Sequence, residues 1–480
     1  MFKNILSIFF AAVILSNMAC KKLIDITPPK TSVASATVYH SDASAAAVLT
    51  GIYTNLSRDR ISTSGATLSS FMTMYPGMSA DELTLYSGSS NLGHIAYYKN
   101  ALTNQSGTNF WLNAYPYIYT CNEAIEGLTN SSTLTPSIKL QLLGEAKFIR
   151  ALHYFYLVNL YGDVPLVLGT DYTTNALLPR TDKDKVYDQI IADLKDAQTQ
   201  LSQQYLEADI TTTSSDRLRP TSWAATALLA RVYLYKKDWT NAEIQSSKVI
   251  NKTDLFSLSG IDQTFLRAQN GNNEAIWQLQ PVNTGWNTED ARLFVLTSSG
   301  PGINRPVYLS NFLINSFESG DLRRSHWVKS VTTNSQTYYY AYKYKAATAN
   351  AAVTEHQMVL RLGEQFLIRA EARAQQNNLD ITNGALADLD TIRSRAGLSP
   401  YAGPANKDSV LAAILHERQI ELFVEWGHRW LDLKRTGAAD TVMANVTPQK
   451  GGIWSPNWLL YPLALSEITA DPKLTQNTGY

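Results

Sequence analysis

The chain has 480 residues, enough to bury large cores and, by length alone, roughly two to four domains' worth of material unless the parts merge into one body. Lysine plus arginine equals aspartate plus glutamate at 41 each, so charge gives no case for a nucleic acid partner or for adsorption to an anionic membrane. Charged residues make up only 17%, while 26 Tyr and 10 Trp supply rings with a polar edge, suited both to cores and to surfaces that are wet at one end.

The first stretch, MFKNILSIFFAAVILSNMA, has a positive start at Lys3, an apolar run from Ile5 to Leu15 and a small residue, Ala19, before Cys20. It reads as a secretory signal over residues 1–19 and resembles a bacterial lipoprotein signal, in which Cys20 becomes the acylated first residue. Cys121 is then left alone, and no intrachain disulfide is expected. Residues 20–37, with Pro28 and Pro29, read as a lipid-anchored tether, and residues 38–480 as one compact body.

Within that body, helical units are expected at about 42–57, 107–201, 221–250 and 355–396. An apolar stripe of Trp111, Tyr115, Ile118 and Tyr119 precedes a long helix that stops at Gly162. GEAKFIRA, from Gly144 to Ala151, recurs as GEQFLIRA, from Gly363 to Ala370. WAATALLARVYLY, from Trp223 to Tyr235, adds alanines that allow close helix approach, and each of the three stretches is followed by a second helix candidate. Helical pairs that bury their apolar sides against the next pair are the physics of tetratricopeptide-like arrays, here interrupted by insertions. Residues 251–354 are rich in Gly, Asn, Thr and Ser with scattered Trp and Tyr, and read as a loop-rich binding insertion with short strands near Ala275–Leu279 and Tyr338–Tyr344.

The C-terminal region 411–480 opens with ILHERQIELFVEWGHRWLDLKRTG, residues 414–437, which concentrates charge on one helix-length run. A zinc-protease helix needs a second histidine four residues after the first, but Ile420 stands there after His416 and Glu417. Glu417, Glu421 and Glu425 fall on one helical face, where acid and base cannot flank a substrate. Glu425 and Arg429, like His428 and Asp432, are four apart and are expected to pair along the helix, with Arg418, Lys434 and Arg435 adding cations. The run reads as structural.

HERQIELFVEWGHRWLDLKRTG resembles the C-terminal signature of the SusD/RagB family of cell-surface nutrient-binding lipoproteins. CKKLIDITPP, GEAKFIRALHYFYLVNLYGDVPLV, RPTSWAATALLARVYLYKKDW, RLGEQFLIRAEARAQ, ALADLDTIRSRAGL and YPLALSEI agree in the same order over nearly the whole chain. The resemblance implies a mainly α fold with four tetratricopeptide-like units and loop-rich insertions. It implies attachment to the outer membrane through a lipid on Cys20, and a SusC-like TonB-dependent transporter as partner, over which the protein sits as a lid delivering oligosaccharide. It implies no enzymatic activity and no cofactor. Glu417, Arg418, Glu421, Glu425, Arg429, Asp432 and Arg435 are then signature residues of the scaffold.

A sugar presents apolar faces and hydroxyl edges, so its site needs an aromatic platform with polar groups at the rim. Position and texture favour Asp81, Glu82, Tyr86 and His94 in a first loop region, and Trp286 and Trp327 in a second, with Asn283 and Asn287, on either side of Trp286, as partners for sugar hydroxyls. No phosphate-cradling Gly loop is present, and no EF-hand spacing supports a structural calcium site. Two other readings stay open: the same lid carrying peptides or another nutrient, and a glycoside hydrolase using the adjacent Asp81 and Glu82.

Overall fold

A computed structural model describes residues 38–58, 68–106 and 109–480; the signal segment, Cys20 and the tether lie outside the described residues. In chain order it has α1 (Asp42–Ser57), α2 (Leu68–Ser79), β1 (Leu83–Leu85), α3 (Leu92–Tyr98), α4 (Asn109–Asn130), α5 (Pro136–Tyr161), α6 (Lys183–Gln200), α7 (Ser222–Tyr235) and α8 (Trp239–Ile250). The central part holds β2 (Ala275–Leu279), α9 (Glu289–Phe294), β3 (Val307–Leu309), β4 (Val328–Thr333), β5 (Gln336–Ala341) and β6 (Gln357–Arg361). The C-terminal part holds α10 (Leu362–Gln375), α11 (Ala385–Arg395), α12 (Lys407–Glu421), α13 (His428–Thr436) and α14 (Ala439–Gln449). The fold is mainly α, with short strands only.

Helices pack largely on their sequence neighbours, α4 on α5, α5 on α6, α6 on α7 and α7 on α8, and α10 then joins α8 to α11 and α12. The repeated Gly-Glu motif explains two of these contacts. A Cβ at Gly144 of α5 would lie 2.8 Å from Leu201 Cγ, and one at Gly363 of α10 would lie 2.8 Å from Glu274 Oε1 and 3.2 Å from Glu421 Oε1 of α12, so glycine lets those segments close in. The glutamate that follows is buried in both copies and takes an arginine from the α7 segment. Arg219 Nη1 donates to Glu145 Oε2 at 2.6 Å, and Arg231 donates to Glu364 through Nε and Nη2 at 2.7 and 2.6 Å. The motif arginine then binds the next helix: Arg150 donates to Asp193 of α6 at 2.8 and 2.7 Å, and Arg369 to Asp388 of α11 at 2.9 and 2.6 Å. Charges survive burial when they are paired and hydrogen-bonded, so the two motif copies lock helices in the same way.

Three two-stranded antiparallel ladders cross the array. β1 pairs with β3, Leu83 opposite Leu309 and Leu85 opposite Val307. β2 pairs with β6, with an irregularity at Trp277, and β4 with β5 from Val328 opposite Ala341 to Thr333 opposite Gln336. The β4–β5 turn uses Asn334 and Ser335, both at positive φ (49° and 61°), as a two-residue hairpin of matching twist requires.

The charged run 414–437 is not the single helix the sequence predicts. α12 ends at Glu421, the chain turns through Val424 (φ 52°), Trp426 (φ 48°) and Gly427 (φ 70°), and α13 begins at His428. Gly427 permits this, because a Cβ there would meet Pro76 Cβ at 2.9 Å and the Met72 carbonyl at 3.0 Å on α2. The expected pairs four residues apart are replaced, mostly by partners on other elements, with one pair three apart inside α13. Arg429 binds Asp81, Glu425 binds Lys343 and Arg361, and Asp432 binds Arg418 and Arg435.

Candidate functional site

The β1–β3 ladder brings together the two loop regions that the sequence separates by more than two hundred residues. Beyond the ladder, Tyr86 N–H donates to the Pro306 carbonyl at 2.8 Å and Ser310 N–H to the Glu82 carbonyl at 2.9 Å. β3 in turn lies against β5. Across that contact the rings of Tyr308 and Tyr338 meet edge to face, centroids 5.0 Å apart. Tyr98, beside Thr84 of β1, borders Tyr308; burial, then the proximity of Tyr98 and Tyr338, raises the Tyr308 phenol above its ordinary pKa. Side chains two apart in a strand share a face, so Tyr340 continues the row from Tyr338, and Tyr342 follows edge-on to Tyr340 at 6.2 Å. Tyr98, Tyr308, Tyr338, Tyr340 and Tyr342 are all half-buried, each held by its neighbours yet still in contact with water. Lys329, opposite Tyr340 in the ladder, is exposed, with its Nζ 5.8 Å from the Tyr342 ring centre.

Five of the residues favoured from sequence are core residues in the structure. Asp81 accepts from Arg429 Nε and Nη2 at 2.8 and 2.7 Å. Glu82 accepts from Val424 N–H at 3.3 Å; burial above all, then the charge of Asp81, pushes its pKa up to about 8. His94 is buried beside Tyr75, and burial lowers its pKa. Asn287 spends its amide on backbone, accepting from Thr354 and Glu355 N–H and donating to the Ala352 carbonyl. Trp327 is 0% exposed, its Nε1 donates to the Ile261 carbonyl at 2.9 Å, and Phe265 packs against its ring. None of the five presents a face or edge to a surface ligand.

Tyr86, Asn283 and Trp286 are half-buried. Asn283 donates to Glu289, which also accepts from Arg292, and the Arg292 guanidinium lies 5.3 Å from the Trp286 ring centre. The tyrosine row itself was not among the sequence candidates. Its signal was the alternation in QTYYYAYKYK, which marks a strand with tyrosines at every second position.

The signature residues form a buried ion cluster at the root of the β4–β5 hairpin. Arg361 binds Glu274, Glu421 and Glu425 at 2.8, 2.5 and 2.8 Å. Arg323 binds Asp321, Glu417 and Glu421 at 2.8, 2.6 and 3.0 Å, and Arg395 reaches Glu274 and Glu421. Lys343, just past β5, donates to Glu425 at 2.5 Å and to the Glu421 carbonyl at 2.9 Å. Burial opposes the charged form of Glu421, yet Arg395, Arg361 and Arg323 together hold its pKa well below the usual carboxylate value. Glu425 is likewise depressed against its burial by Arg361 and Lys343, whereas burial raises Glu417 despite Arg323. A second cluster joins Arg418, Asp432, Arg435 and Glu371. Every carboxylate of the run is therefore engaged by cations inside the protein, which is packing chemistry and not catalysis.

Among the described residues, no helix is long and apolar enough to cross a membrane. Residues 280–480 match the family model described as "SusD family", and residues 25–234 match a model described as "Starch-binding associating with outer membrane". The chain is 22% identical to SusD-like protein P25 of Formosa agariphila, over 98% of this chain and 99% of that one. A solved SusD superfamily protein of Bacteroides vulgatus superposes with a TM-score of 0.76 at 21% identity, covering 92% of this chain and 99% of that one. A laminarin binding SusD-like protein superposes with a TM-score of 0.71 at 21% identity, covering 91% and 99%. Two models of one family, a relative aligned end to end and the shared fold agree with the signature run and its buried cluster: the chain belongs to the SusD/RagB family.

Proposed function

We propose that the protein captures oligosaccharide on the row Tyr98, Tyr308, Tyr338, Tyr340 and Tyr342. The observation that carries the reading is the row itself: half-buried rings offer apolar area for sugar faces while polar groups of Thr84, Thr333 and Lys329 stand on neighbouring strand positions. The family description, starch-binding and outer-membrane associating, and the similarity to a laminarin binding protein support it. The body is held at the outer-membrane surface by lipid on Cys20 and hands its cargo to a SusC-like TonB-dependent transporter. Handover requires release, so affinity lies in the micromolar to millimolar range. The hydrolase reading loses its motivation, because Asp81 and Glu82 are buried and Asp81 is bound by Arg429.

The test is titration calorimetry of the soluble body against a panel of oligosaccharides. Replacing Tyr308 and Tyr338 together by alanine is expected to lower affinity for the best ligand by about tenfold or more, a loss of roughly 1.4 kcal/mol. Unchanged affinity in the double variant, or no saccharide bound by the wild type, sinks the reading. Purification of the lipidated protein from outer membranes without any TonB-dependent transporter would remove the partner.

A further inference from the structure

Arg305 sits in a short loop that leads into β3, touching the tyrosine row at one end and the segment after β1 at the other. Arg305 and Gly302 exchange backbone hydrogen bonds at 3.0 Å in both directions, which closes the loop. On one side Gly300 lies against Tyr338 and Thr333; a Cβ there would be 3.6 Å from the Tyr338 ring. On the other side Pro306 takes the N–H of Tyr86. The guanidinium makes no hydrogen bond or ion pair with any described residue, and its Nε is buried. Arg150, Arg219, Arg231, Arg323, Arg361, Arg395, Arg429 and Arg435 each face a carboxylate, and the buried Arg217 donates to backbone carbonyls. Its half-burial and the like charge of Arg292 lower its pKa, so the protein around it disfavours the cation it nevertheless keeps. Lys329, farther along the row, is likewise in no ion pair among the described residues.

We propose that the saccharide bound on the row carries anionic oxygens, as carboxylate or sulfate ester groups, and that Arg305 is the residue that reads them. The inference rests on the saccharide reading above and adds the ligand's charge. A planar guanidinium with a rigid fork of donors matches both groups bidentately. A neutral glycan would satisfy the tyrosines but leave Arg305 as it stands.

The experiment titrates the soluble body with three oligosaccharide sets of similar length: neutral glucans, uronic acid oligomers and sulfated oligomers. The expected result is affinity about tenfold or more higher for one anionic set, falling as salt rises, with the neutral set insensitive to salt. The two anionic arms decide between carboxylate and sulfate. Arg305→Gln is expected to erase the preference while leaving neutral affinity and the unfolding midpoint unchanged, and Arg305→Lys to restore it in part. Equal or tighter binding of neutral sugars overturns the inference and leaves the saccharide reading intact. A preference that persists in Arg305→Gln removes Arg305 from the role. Should that variant fail to fold, the salt dependence of wild-type binding decides, and salt-insensitive anion binding counts against the proposal. If no set binds, the saccharide reading falls and this inference falls with it.

Discussion

Replacing Arg361 by methionine removes the cation that Glu274, Glu421 and Glu425 share. In the wild type, Glu274, Asp321, Glu417, Glu421 and Glu425 face Arg323, Lys343, Arg361 and Arg395, with Arg393 at 3.5 Å from Glu417 on the rim. Methionine restores most of the volume but leaves buried carboxylates with too few partners, and breaking a buried pair in this way costs about 3 to 5 kcal/mol. With an unfolding entropy of about 2.1 cal/mol/K per residue, a body of this length loses about 1 °C per kcal/mol, so the midpoint should fall by roughly 3 to 5 °C near neutral pH. The loss has a pH signature. Glu421 and Glu425 have folded pKa values below their unfolded ones, so their contribution is present above the ordinary carboxylate pKa and disappears as pH falls through the folded values. Wild type and variant should therefore converge toward pH ~4 and below. Scanning calorimetry over a pH series measures both effects, with Lys252→Met as control, since the Lys252–Asp254 pair is solvent-exposed and worth at most about 1 kcal/mol. A drop no larger than the control's, or one independent of pH, would refute the view of the signature as a buried, mutually dependent ion cluster.

Trp327→Ala should destabilise by about 3 to 5 kcal/mol in urea unfolding, as loss of a fully buried indole does; an unchanged urea midpoint would contradict its enclosed position. Gly144→Ala forces a methyl to within 2.8 Å of Leu201 Cγ and should cost about 1 to 3 kcal/mol, measured by the shift in urea midpoint at constant slope. Glu82 has a folded pKa of about 8, above its unfolded value, so its favourable share is full below the unfolded pKa and is lost as pH rises toward 8. Glu82→Gln keeps an acceptor for Val424 N–H and should flatten the decline of stability between pH ~5 and ~8; an unchanged pH profile would contradict the neutral, buried form.

The helical array was legible because its signals are local. The glycine, glutamate and arginine of GEAKFIRA and GEQFLIRA recur at fixed spacing, and helix periodicity put their small residues at contacts. Charge partners were not legible, because sequence spacing suggests only partners along one helix. Arg429 instead finds Asp81, 348 residues away, once α13 packs on α2. Trp327 misled for a related reason: its surroundings have loop composition, but Phe265 and the Ile261 carbonyl, from a segment 60 residues earlier, enclose it. The tyrosines of β5 could be assigned to a strand but not to a face, since only the docking of β3 decides which side lies against Tyr308. For Arg305 no sequence signal exists, because spacing along the chain does not tell that its guanidinium has no partner among the described residues.

The signature run and the tyrosine row are mechanically connected. The β4–β5 hairpin leaves the body at Trp327 and returns at Tyr342, whose N–H donates to the Trp327 carbonyl at 2.7 Å. Both strands are fixed at that root. Trp327 is enclosed, and Lys343 lies 4.7 Å from its ring centre and 4.1 Å from that of Phe423 while binding Glu425. Phe423 and Glu425 belong to the turn between α12 and α13, so the segment that breaks the predicted helix is the one that grips the hairpin. Outward from this root the hairpin carries Tyr340 and Tyr338 toward Tyr308. A platform for a weakly bound, promptly released ligand gains little from extra contacts and much from rings already in place, because ordering them on binding would subtract from a small affinity. The charges that first suggest catalysis thus sit one step removed from the tyrosine row, at the root of the hairpin that carries it.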